Sequence, residues 1–102
     1  MKLTSEPSGV SWMQMNDTKG RNIFSAEFIA EFLGALEELE QDARTKALVL
    51  TGLPDVFCGG AEKKALLDLC EGKMAVRDLV ICERLLEVPF PVIAAMEGHA
   101  IG

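Results

Sequence analysis

Apolar residues recur along this chain in two different rhythms. Downstream of Ser25, residues Phe28, Ile29, Phe32, Leu33, Leu36 and Leu39 fall at three- and four-residue spacing, which predicts a helix with one buried face. Glu31, Glu37, Glu38 and Glu40 take the outer face. Ser25 sits where a hydroxyl accepts an orphan N–H of the first turn, Glu27 follows where negative charge suits the helix dipole, and the pattern stops near Asp42. Lys46 to Leu50 and Pro91 to Met96 are short continuous apolar runs instead. Both predict buried strands, and the lack of polar–apolar alternation in Lys46 to Leu50 predicts one covered on both faces as in a parallel sheet. Val10 to Met15 is a further strand candidate, followed by turn chemistry in Asn16-Asp17-Thr18-Lys19-Gly20. Ala61 to Cys70 reads as a second helix broken at Gly72. Met74 to Leu86 reads as a third, with Val76, Leu79, Val80, Ile81 and Leu85 apolar and Pro89-Phe90-Pro91 ending it. Strand, helix, strand, helices, strand is the rhythm of an α/β fold with a mostly parallel sheet.

Composition narrows the function classes. At 102 residues the chain is one domain, near the small end of what folds alone. The closing segment His99-Ala100-Ile101-Gly102 is a strand-to-turn sequence that normally feeds another element, so we expect the domain to continue past it. A net charge of −6 and a single adjacent basic pair, Lys63-Lys64, argue against nucleic acid. The apolar runs are far shorter than the roughly 20 residues of a membrane span, and no signal-peptide core follows Met1. A cytoplasmic protein is expected. Cys58, Cys70 and Cys82 have neither disulfide nor metal-site spacing and read as reduced thiols, with Cys58 and Cys70 as small buried hydrophobes. Trp12 and the methionines read as core.

Two segments carry candidate chemistry. Each is an apolar run followed by glycines: Leu48 to Gly52 leading to Phe57-Cys58-Gly59-Gly60-Ala61-Glu62, and Pro91 to Met96 leading to Glu97-Gly98-His99-Ala100-Ile101-Gly102. Glycine turns let a backbone aim N–H groups at a ligand oxygen, although on spacing alone an ordinary strand-to-helix turn is the simpler reading. With Asn22 and the helix behind it, these segments resemble the N-terminal half of the enoyl-CoA hydratase/isomerase (crotonase) superfamily, from about Val10 to Gly102.

That resemblance implies a crotonase-like ββα spiral, of which residues 1–102 form the N-terminal part, ending after the third core strand. It implies that Ala61 donates one oxyanion-hole N–H from the start of a helix, next to Gly60, with Glu62 in place of the commoner Asp. The second N–H would come from the position after Gly102. The turn Lys19-Gly20-Arg21-Asn22 is where coenzyme A passes in the family, and Arg21 or Lys64 would meet a coenzyme or carrier phosphate. Solvated basic side chains are the plain alternative. No separate cofactor and no metal are expected; coenzyme A or phosphopantetheine serves as substrate carrier, and the family forms homo-oligomers, typically trimers. Met13 to Asp17, Asn22 to Ser25, Lys46 to Gly52 and Val92 to Gly102 look like the branch that decarboxylates a glutaconyl-type thioester, held on an acyl carrier protein, in polyketide β-branching. Some members of that branch carry a lysine about eight residues beyond the alanine, where this chain has Leu69. Glu97 and His99 are not catalytic positions in the family. Two classes stay open on sequence: an acyl-thioester enzyme, or a non-catalytic piece that binds a thioester weakly or serves as an oligomerisation surface. On either, these 102 residues hold no complete catalytic set.

Overall fold

In the computed structural model, which describes residues 1–75 and 81–102, the strands sort into two sheets. In chain order the elements are β1 (Lys2–Ser5), β2 (Val10–Gln14), β3 (Ile23–Phe24), α1 (Ala26–Gln41), β4 (Ala47–Thr51), β5 (Val56–Ala61), α2 (Lys63–Cys70), α3 (Cys82–Glu87), β6 (Val92–Ala95) and β7 (His99–Ile101). The larger sheet has the order β1-β2-β4-β6, and the smaller has β3-β5-β7. Only β1 runs antiparallel to its neighbour; every other described pairing is parallel. The α/β class and the mostly parallel pairing follow the sequence expectation.

Helix α1 forms because its caps and its apolar stripe agree. The Ser25 hydroxyl accepts the Phe28 N–H at 3.1 Å, and the helix ends at Asp42, whose N–H donates to the Leu39 carbonyl. Its inward residues Phe28, Ile29, Phe32, Leu36 and Leu39 join Met13, Leu48 and Leu50 in one core. Full burial of a side chain such as Phe32 contributes about 2–3 kcal/mol. The strand register explains which strand residues take part. Met13 pairs with Leu50, whereas Trp12 pairs with Val49 and Val49 with Ile93. Adjacent strand residues point to opposite faces, so this second row turns away from α1.

Several expectations are corrected here. Trp12 is 38% exposed and Ile93 55% exposed, so the larger sheet is buried on one face rather than two. Trp12 donates its indole N–H to Glu6 at 3.2 Å instead of entering the core. The segments read as glycine turns are themselves strands, β5 and β7, and β6 and β7 are mostly exposed edge strands. The second helix begins at Lys63, which places Ala61 at the end of β5 and Glu62 at the N-cap, where its side chain makes no capping hydrogen bond. Cys58 is half-buried and Cys70 exposed; all three thiols are free. Helix α3 starts at Cys82, Met74 and Ala75 are not helical, and the Val76, Leu79 and Val80 part of that expectation lies outside the described residues.

Candidate active site

Asn22 ties the site together from inside. It is fully buried and left-handed, with φ +54°, a conformation that Asn tolerates better than most residues. Its side-chain nitrogen donates to the Met15 carbonyl at 2.9 Å and to the Phe57 carbonyl at 3.1 Å. Its side-chain oxygen accepts the Asp17 N–H at 3.0 Å, and its carbonyl accepts the Gly59 N–H at 3.0 Å. The expected role as a coenzyme contact is therefore corrected to a structural one: Asn22 joins the end of β2 to β5 and offers no surface to a ligand. The neighbouring Arg21, also left-handed at φ +57°, does face outward, and its Nη2 donates to Asp55 Oδ2 at 2.7 Å.

The two segments singled out in the sequence become neighbours. β5 is the middle strand of the smaller sheet, flanked by β3 through Ile23–Gly60 and Phe24–Ala61, and by β7 through Val56–His99, Cys58–Ala100 and Gly59–Ile101. Because all three strands are parallel, their carboxyl ends lie on one edge, with Phe24, Ala61 and Ile101 at the ends of their strands. Carboxyl ends of parallel strands are where α/β sheets bind ligands. Gly60 has φ +84°, and a Cβ there would lie 3.3 Å from the Ile101 carbonyl oxygen, so the close approach of β5 and β7 at this point suits glycine. Ala61 and Gly102 are exposed at this edge, and Gly60 is buried beneath it.

Beyond the edge, α2 carries Lys63 and Lys64 in its first turn with no acidic residue there. Glu62 at the N-cap sets one carboxylate beside these two ammonium groups at the positive end of the helix dipole. Glu62, Lys64 and Ala65 also line a mostly apolar cavity of about 370 Å³ against Ala26, Ile29 and Leu33 of α1, a size within the roughly 300–1,000 Å³ range of small-ligand pockets. Leu69 is half-buried on α2. The Arg21 guanidinium, with a lesser contribution from His99, holds the Asp55 carboxyl below its ordinary value of 3.8. Sequence reasoning missed Asp55; its one local signal was Leu53-Pro54-Asp55, which reads only as turn chemistry. Among the described residues no group of three or more His, Cys, Asp and Glu side chains is placed to hold a metal ion, and no helix is long and apolar enough to cross a membrane.

Comparison with known proteins gives this geometry a context. The profile of the enoyl-CoA hydratase/isomerase family matches residues 5–102. The bacillaene synthase decarboxylase PksI of Bacillus subtilis is 32% identical over 102 residues, covering 100% of this chain and 41% of PksI. Among solved structures, one of a dehydratase/decarboxylase enzyme couple involved in polyketide β-branching superposes with a TM-score of 0.92 at 34% identity, over 99% of this chain and 41% of that one. The ECH2 decarboxylase domain of CurF from Lyngbya majuscula superposes at 0.86 with 32% identity, over 99% and 41%. The chain thus spans about two-fifths of the length of these relatives.

Proposed function

The chain belongs to the enoyl-CoA hydratase/isomerase family, and from that premise we propose that it forms part of an acyl-thioester site that stabilises an enolate, with decarboxylation of a glutaconyl-type thioester as the reaction. The observation that carries this reading is the parallel pairing of β5 with β7 through Gly59–Ile101, which brings Gly60 against Ile101 with Ala61 and Gly102 following at the carboxyl ends of the two strands. The Ala61 N–H is the proposed first donor to the thioester oxygen, and the position after Gly102 the second. Loss of CO2 leaves an electron pair that delocalises onto that oxygen, and two converging N–H dipoles stabilise the charge as it develops. Protonation at carbon then releases the enoyl product. The decarboxylase names of PksI and the CurF domain favour this reaction over hydration or isomerisation.

The substrate carrier is coenzyme A or the phosphopantetheine of an acyl carrier protein, with no further cofactor. Arg21 and Lys64 are its proposed phosphate contacts: both are exposed, Arg21 just before the amino end of β3 and Lys64 in the first turn of α2, just past Ala61. The apolar cavity between α1 and α2 suits the uncharged part of such a ligand. We place the protein in the cytoplasm, as a homo-oligomer. Ala61 supplies a test, because its role uses the backbone alone. In a polypeptide that also supplies the second donor, Ala61→Gly keeps thioester affinity and turnover within a modest factor, while Ala61→Pro removes the first donor and costs about 3 kcal/mol of transition-state stabilisation. Equal losses from both substitutions in assays with a 3-methylglutaconyl thioester, on coenzyme A and on carrier protein, would point to packing instead.

A further inference from the structure

Asp55 belongs to none of the motifs above, yet three parts of the site meet on it. It lies in the turn between β4 and β5, exposed to solvent. Its carboxylate accepts Arg21 Nη2 at 2.7 Å. Its main-chain carbonyl accepts the His99 N–H at 3.1 Å. Gly98, at φ +70°, packs so closely that a Cβ there would stand 2.2 Å from the same carbonyl oxygen. The Arg21 backbone packs closely on β5, where a Cβ at Gly59 would stand 2.7 Å from the Arg21 carbonyl oxygen. We propose that Asp55 is a positioning residue that aims the Arg21 guanidinium with its side chain while its backbone seats the turn that delivers β7, so that the phosphate contact and the entry of β7 are set by one residue.

The inference rests on the thioester reading for its ligand, a phosphate of coenzyme A or of carrier-bound phosphopantetheine. A free arginine samples many rotamers, and a carboxylate partner removes most of that freedom before the ligand arrives. The guanidinium has five N–H donors in a fixed fork, so one bond to Asp55 leaves others to meet a phosphate. With 49% of the Arg21 side chain and 64% of the Asp55 side chain exposed, solvent screens the pair, and its value lies in orientation more than in stability.

Two arms test this on the whole chain. In calorimetric titrations, Asp55→Asn weakens acetyl-CoA binding about two- to fivefold and leaves acetyl-pantetheine, which lacks phosphate, unchanged. Equal loss on both ligands, or no loss on either, overturns the proposal. Acetyl-4′-phosphopantetheine weakened as much as acetyl-CoA assigns the contact to the phosphate both carriers share; a smaller effect assigns it to the nucleotide of coenzyme A. In amide and guanidinium NMR spectra, Asp55→Asn shifts the Arg21 Nε–H, whereas Gly98→Ala, which crowds the Asp55 carbonyl, shifts the Ala100 and Ile101 amides. An Arg21 signal unmoved by Asp55→Asn, or β7 amides unmoved by Gly98→Ala, contradicts the role. Wild-type protein that binds no thioester would sink the thioester reading, and the spectra would still decide on Asp55.

Discussion

Asn22 shows how much a single side chain organises here. Removing it leaves the Met15 and Phe57 carbonyls and the Asp17 N–H without a partner in the interior, and the replacement must still adopt a left-handed backbone. Asn22→Ala is therefore expected to cost about 3–4 kcal/mol in urea unfolding; a loss below 1 kcal/mol would mean that the three bonds are readily replaced. The exposed carboxylates act more weakly and at a defined pH. Arg21 beside Asp55, and Arg44 beside Asp42, depress carboxyl values below the ordinary 3.8. A depressed value in the folded state favours folding above the unfolded value and loses that contribution as pH falls through the folded one. Melting temperature should thus drop below about pH 4, and Asp55→Asn should make that drop shallower. An unchanged acid limb in the variant would show that the pair does not contribute.

At the scale of elements, the core is set by α1 lying across β2 and β4. Phe32 is fully buried at the centre of that contact, and Phe32→Ala should cost about 3–5 kcal/mol, measured by the same unfolding curves. A smaller loss would mean that the helix collapses onto the gap. This element was legible in the sequence because cap, acidic face and apolar spacing all agree. β5 was not. Gly59 and Gly60 argue against a strand by propensity, and only the pairing with β3 on one side and β7 on the other makes them one; the missing Cβ atoms are what let those neighbours close in. Trp12 was misread for a related reason: a strand residue joins the core or leaves it according to register, and the register of β2 against β4 is a long-range property. The sequence pointed to the Cys58–Ala61 and His99–Gly102 segments, and the fold pairs them as the neighbouring parallel strands β5 and β7. Asp55 stayed hidden because its link to β7 runs through a main-chain carbonyl, which leaves no trace in residue type.

Across the whole molecule, apolar surface remains uncovered. Trp12 and Ile93 stand on the outer face of the larger sheet, and Leu66, Leu67, Met96 and Ile101 are also exposed. Exposed apolar surface beside edge strands favours association. The chain is expected to self-associate in sedimentation experiments at micromolar concentration, and Trp12→Ser with Ile93→Ser should shift it towards monomer. A wild-type chain that stays monomeric and melts cooperatively would contradict this. Association and ligand binding are separable, because the Trp12–Ile93 row belongs to the larger sheet and the Ala61 edge to the smaller. The central claim concerns that edge. Titrating the isotope-labelled chain with crotonyl-CoA, followed amide by amide, tests it most directly. The account predicts saturable shifts at Gly60, Ala61 and Ile101, with Arg21 and Lys64 moving in the same concentration range; saturable binding that leaves Ala61 and Ile101 unmoved would contradict it.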